Sequence, residues 1–256
     1  MSISVPVILR NVIFLRYPLR QVLKSVAGLG EIVLSVDPTS EDSSVSYVHE
    51  LSKEFNTKVI YSVWDLNNIS RKGVEIGRQT DIAVEACTGE FIFSVQADEA
   101  LHEKDFDLFR HCASQSIVDA YSMTRLYFFG NTETVRISWS VPIVRFFRKG
   151  TRTFGNGDGM NTEGTGVCEN LDNVFIYHYS RIGDPKIISS RIRALDGLFH
   201  GAEKLIPEDE LPEYDFSTYN FDCFHKDTVD VGRQKAKGNQ FVKFHGTHPS
   251  PFRDYK

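Results

Sequence analysis

The sequence predicts an α/β chain built on a mostly parallel central sheet flanked by helices. Three observations predict it. Short apolar runs of strand length alternate with segments that carry apolar residues every three or four positions over the first ~115 residues. Polar clusters follow the second, third and fourth of those runs, where open parallel sheets bind ligands. At 256 residues and 41% apolar, the chain can bury a substantial core without disulfide staples.

Residues 3–9 (ISVPVIL) form the first strand. Pro18 sits in the first turn of a helix whose face is Leu19, Val22, Leu23 and Val26, with Gly28 and Gly30 at its end. Residues 31–36 (EIVLSV) are the second strand, stopping at Asp37-Pro38. The stretch from Asp42 to Ser44 caps a helix that buries Val48, Leu51 and Phe55. Residues 57–63 are the third strand; the polar loop Trp64–Asn68 leads to a helix near 71–87 with Ile76, Ala83 and Cys87 on one face. Residues 90–95 are the fourth strand, ending at Gln96-Ala97-Asp98-Glu99 before an acidic helix at about 102–114. Strands separated by helices need crossover connections, hence parallel pairing with both faces covered.

Beyond residue 116 the pattern changes. Segments 117–129 and 139–147 are aromatic and β-branched, a glycine-rich stretch spans 155–166, and 173–179 is a short strand. Asp184-Pro185 opens a helix with Ile188, Ile192, Leu195 and Phe199 inward. The strands of this half look too few for a core of their own, so it is expected to pack on the same sheet.

Composition narrows the function. The net charge of −5 (29 basic against 34 acidic residues) argues against sequence-independent nucleic-acid binding, which needs a basic face. No apolar run approaches the ~18 residues that span a bilayer, and no transmembrane segment is expected. Four cysteines without a C-x-x-C pair fit reduced thiols in a cytoplasmic setting.

The carboxylates of Asp98-Glu99 at a strand end are hard oxygen ligands suited to Mg2+ or Mn2+, which also accept oxygens from a diphosphate. A solvated acidic turn capping the next helix is the alternative. At this point the residues resemble a known family. The order strand–Asp37–helix–strand–helix–strand–QADE resembles family-2-like glycosyltransferases of the GT-A fold, in the branch with a QADE variant of the D-x-D motif. EIVLSVDPTSEDSS (31–44) and CTGEFIFSVQADEAL (87–101) carry the likeness, and YFFGN (127–131), IYHYSR (176–181) and FHGTHP (244–249) extend it.

The resemblance implies a GT-A, Rossmann-like sheet with a nucleotide-sugar (donor) half at 1–115 and an acceptor half with a C-terminal extension at 116–256. It implies a metal-dependent, inverting glycosyltransferase of the hexosyl type, with a nucleoside-diphosphate sugar, UDP-sugar favoured, as donor. The acceptor is a saccharide, a lipid-linked group or a protein. Asp37 matches the aspartate that accepts a hydrogen bond from the base, Asp98 matches the metal ligand, and Gln96 replaces the first aspartate of D-x-D and faces a ribose hydroxyl. Glu99 and His178 are further metal-ligand candidates, with His248 behind them. Arg71-Lys72 and Arg78 are candidates to neutralise the donor phosphates. Asp158, 60 residues past Asp98, matches the position of the catalytic base, with Glu163 as the alternative. Two other readings stand beside this one. A nucleotidyltransferase needs a glycine-rich phosphate loop after the first strand, where this chain has Arg10-Asn11-Val12; a non-catalytic relic is favoured only by Gln96.

Overall fold

The computed structural model describes residues 1–67, 73–115, 117–155, 157, 159–161, 166–200 and 241–255. The N-terminal half follows the expected alternation: β1 (Ile3–Leu9), α1 (Leu19–Val26), β2 (Glu31–Val36), α2 (Ser44–Phe55), β3 (Lys58–Tyr61), α3 (Val74–Glu85) and β4 (Phe91–Phe93). These four strands run parallel in the order β4-β1-β2-β3. β1 lies in the middle, which is why Val5 and Val7 are fully buried and its sequence is apolar on both faces. Helix α1 buries the Leu19, Val22, Leu23 and Val26 face. Asp42 accepts the Ser44 and Phe14 backbone N–H groups (2.9 and 2.7 Å), tying the start of α2 to the loop after β1.

Glycine is required where β1 and β2 come together. A Cβ on Gly30 would lie 2.0 Å from the Ile3 carbonyl oxygen, so the turn into β2 closes only with hydrogen at that position.

Beyond β4 the chain makes a tight reversal at Gln96-Ala97-Asp98, with the Glu99 N–H donating to the Gln96 carbonyl at 3.1 Å. It then enters the short β5 (Glu99–Leu101) and α4 (Phe106–Ser114). The second half supplies β6 (Val118–Phe129), β7 (Asn131–Arg136), β8 (Pro142–Arg148), β9 (Val167–Arg181), α5 (Pro185–His200) and β10 (Phe241–Lys243). Its strands join the same sheet. β8 pairs antiparallel with β4, β6 pairs with β7, β8 and β9, and β5 pairs antiparallel with β9. The strand expected at 173–179 is the end of the 15-residue β9. In α5, Ile188 is buried as expected, whereas Leu195 is exposed at a cleft.

An aromatic wedge, in which the Phe109 ring lies 5.0 Å from Phe93 and 4.7 Å from Phe146 between centroids, holds α4 against the junction of the two halves. Burial of each such ring is worth about 2–3 kcal/mol. No helix among the described residues is long and apolar enough to cross a membrane.

Candidate active site

A cleft of about 770 Å³ opens at the carboxyl ends of β1 and β4. Its walls are the loop after β1, the Trp64–Asn67 loop, the Gln96–Asp98 reversal, β6, the end of β9 and one face of α5. Two of the three polar clusters that follow the strands, Trp64–Asn67 and Gln96–Asp98, meet here. The third, at Asp37, reaches the cleft through Arg10.

Asp98 lies on the floor, 6% exposed. The β5–β9 ladder places it. Glu99 is paired with His178, and the Tyr179 N–H donates to the Asp98 carbonyl at 2.9 Å. That register brings His178 Nε2 to 3.6 Å from Asp98 Oδ1. Burial, and the charge of Glu99 next to it, push the Asp98 carboxyl up to about 6, against the opposing pull of Arg191, Arg125 and Arg181. Burial also holds the His178 imidazole well below its usual range, reinforced by the positive charges of Arg125 and Arg181, so the ring is neutral near pH 7. Ser180 donates to Tyr127 Oη (2.8 Å) and lies 3.3 Å from His178 Nδ1. The Tyr127 ring packs 4.3 Å from the imidazole centroid.

A carboxylate and a neutral imidazole 3.6 Å apart can both reach one divalent cation at the usual ~2.1 Å. Among the described residues no group of three or more His, Cys, Asp or Glu surrounds such a position. The chain thus offers two donors and leaves the other positions to substrate or water oxygens, a donor set that suits Mg2+ or Mn2+ bound with a diphosphate.

Several expected roles change on contact with the structure. Glu99 is fully buried and points away from the cleft. Its Oε1 and Oε2 accept from Arg145 Nη2 (2.8 Å) and Nε (3.1 Å), and Arg125 Nη1 is 3.4 Å away. The Gln96 N–H also donates to Glu99 Oε2 (3.1 Å). A carboxylate so engaged is placed as an internal counter-ion, away from the cleft-facing position that a metal ligand was expected to hold. Arg145, 1% exposed, is the inner half of that pair. Asp37 is fully buried too. One of its oxygens is taken by Arg10, and the other by the Thr39 N–H (2.8 Å) and hydroxyl (2.7 Å). Asp37 thus anchors Arg10, which lines the cleft.

Arg78, expected to neutralise the donor phosphates, is not among the residues that line the cleft. It forks onto Glu75 (2.8 and 2.6 Å) and donates to the Val63 carbonyl (2.6 Å), bracing the loop after β3 on α3. His248 sits between Tyr179 Oη (2.8 Å) and the Thr132 carbonyl (2.9 Å), a packed position away from the cleft. Gln96 lines the cleft. Asp158, Glu163, Arg71 and Lys72 lie outside the described residues.

Sequence reasoning did not assign a set of cleft arginines: Arg10, Arg125, Arg181, Arg191 and Arg193. Arg125 precedes the apolar run Leu126–Phe129 of β6 and Arg181 ends β9, which is the signal that was available. Arg191 is buried and donates to the carbonyls of Leu15 (2.7 Å), Ser180 and Ile182 (both 3.3 Å) and Arg16, clasping α5 to the loop after β1. Tyr17 packs beneath it, with the guanidinium 5.1 Å from the ring centroid. Burial and the Asp98 charge keep the Tyr17 hydroxyl protonated far above its usual range.

No protein-family model matches the chain, and no curated protein sequence matches it significantly. Solved structures do. One is a mannosyltransferase from Pyrobaculum calidifontis in complex with GDP-Man and Mn2+, at 14% identity and TM-score 0.52, covering 81% of this chain and 66% of that one. Another is S. aureus TarS 1-349 in complex with UDP, at 16% identity and TM-score 0.48, covering 77% of this chain and 65% of that one. The chain therefore spans about two thirds of the length of either structure. With a parallel β4-β1-β2-β3 core extended through β8 and β6, and helices on its faces, the chain has a mixed α/β fold of the GT-A type.

Proposed function

We propose that the chain is a metal-dependent, inverting glycosyltransferase that moves a sugar from a nucleoside-diphosphate donor, preferentially a UDP-sugar, to a hydroxyl acceptor. The observation that carries this reading is the meeting of Asp98 and His178, 80 residues apart in sequence, on the floor of an arginine-lined cleft. The carboxyl ends of parallel strands are where such sheets take nucleotides. In this reading residues 1–115 hold the donor and the elements after residue 116 hold the acceptor. The lack of an apolar spanning helix among the described residues is compatible with a cytoplasmic setting.

Asp98 and His178 would hold a Mn2+ or Mg2+ ion, which would supply Lewis-acid stabilisation of the departing diphosphate. Neutral His178 arrives ready to ligate, with no proton to shed. Gln96 faces the donor from the cleft rim, and Tyr127 presents an aromatic side chain beside the reacting end. The acceptor oxygen bonds to the anomeric carbon as the bond from that carbon to the diphosphate oxygen breaks. The electron pair leaves with the nucleoside diphosphate, and the acceptor proton passes to a base. Asp158, with Glu163 as the alternative, is assigned that role on sequence alone.

Calorimetry with UDP, with and without Mn2+, tests the reading. UDP binding is expected to tighten at least tenfold with Mn2+, and Asp98→Asn is expected to remove that gain while the fold survives. Slow Mn2+-dependent hydrolysis of a UDP-sugar should disappear in the same variant. Metal-indifferent UDP binding in both proteins would refute the metal assignment.

A further inference from the structure

The charges around the cleft are unequal in a way that a metal-bound donor does not use up. Arg10 is matched by Asp37 and approached by Glu41 at 3.5 Å. Arg191 spends its hydrogen bonds on four backbone carbonyls. Arg125 shares a single carboxylate, Glu99, with the buried Arg145. Arg181 and Arg193 have no carboxylate partner among the described residues, and Asp98 and Glu41 are the acids lining the cleft.

Two of these guanidiniums are also short of hydrogen-bond acceptors. The Nε groups of Arg125 and Arg181 are buried and have no partner. Arg181 is 8% exposed, so it is held in place and does not wave in solvent. A buried N–H without an acceptor costs about 1–3 kcal/mol, and a bound anion recovers that cost. The Nε edge of a guanidinium, with its neighbouring Nη, matches two oxygens of a phosphate.

On the reading proposed above, the diphosphate of the donor carries two negative charges and the divalent cation two positive ones. The pair enters nearly neutral, and Asp98 and Glu41 offset only part of the charge of Arg125, Arg181, Arg191 and Arg193. We infer that the acceptor carries a phosphate group, and that Arg181 and Arg125 grip it through their Nε edges while Arg193 of α5 adds long-range attraction. The hydroxyl to be glycosylated then belongs to a phosphate-bearing alcohol. The phosphate itself undergoes no bond change.

The test uses the full chain saturated with UDP and Mn2+, titrated calorimetrically with sn-glycerol 3-phosphate and, in parallel, with glycerol. The phosphate probe should bind at least tenfold more tightly than glycerol. Arg181→Gln should weaken the probe about tenfold, a loss clearly larger than any it causes in UDP affinity. Arg193→Gln, on the partly exposed face of α5, serves if Arg181→Gln fails to fold, with a smaller loss of about threefold expected. Equal binding of probe and glycerol would overturn the inference. So would competition between probe and UDP, because the arginines would then belong to the donor diphosphate. If UDP itself does not bind, the same titrations on the free protein decide the phosphate site separately from the transferase reading.

Discussion

Glu99→Gln separates two roles for one carboxylate. In the wild type, Glu99 is wholly buried and Arg145 is 1% exposed, and they meet through two hydrogen bonds of 2.8 and 3.1 Å. The substitution keeps the shape and removes the charge, leaving a buried guanidinium facing a neutral amide. Breaking one side of a buried pair costs about 3–5 kcal/mol. For a chain of this size each kcal/mol moves the melting temperature by roughly 2–4 °C, so a drop of about 10 °C or more is expected. Urea unfolding followed by circular dichroism and a thermal melt measure it. The double variant Glu99→Gln/Arg145→Met should recover much of the loss, because replacing both members of a buried pair costs far less than stripping one. A Glu99→Gln protein within about 1 kcal/mol of wild type, yet unable to bind Mn2+ with UDP, would refute the counter-ion role and restore that of ligand.

Two further outcomes concern stability. Asp105 precedes α4 with a buried, unpartnered Oδ2, and burial pushes its carboxyl up to about 6. A raised carboxyl favours the folded state most below its unfolded pKa near 4, and this contribution fades as pH rises through about 6. Asp105→Asn should therefore match wild type near pH 4 and exceed it by about 2 kcal/mol at pH 7.5, as read from urea midpoints at both pH values. Arg191→Met strips the donors from the carbonyls of Leu15, Arg16, Ser180 and Ile182. A loss of about 2–4 kcal/mol is expected, with faster amide exchange in α5 measured by mass spectrometry.

Most of the first seven elements were legible because they show their period: Leu19, Val22, Leu23 and Val26 spell a helix face as plainly as ISVPVIL spells a buried strand, and the three-residue β4 lies within the longer apolar run EFIFSV. The three-residue strands β5 and β10 show no period and were not anticipated. Asp98 and His178 were both named from sequence, but only the register of β5 on β9 puts them together. The divergent fate of Glu99 follows from backbone geometry. Consecutive residues entering a strand face opposite sides, so a carboxylate doublet there cannot present both members to one ion. The Arg10–Asp37 pair spans 27 residues and is tertiary, beyond the reach of local pattern. A net charge of −5 says nothing of where cations gather, so Arg125 and Arg181 carried only a local signal, one inside a strand and one at a strand's end.

The clasp made by Arg191 bears on how the molecule comes into being. The parallel core is complete once β4 has been synthesised, about a hundred residues before Arg191 leaves the ribosome. Until then the carbonyls of residues 15 and 16 face open water, and the mouth of the cleft lacks its α5 wall. A chain cut short of α5 therefore lacks both that wall of the cleft and the clasp that Arg191 makes on the loop after β1.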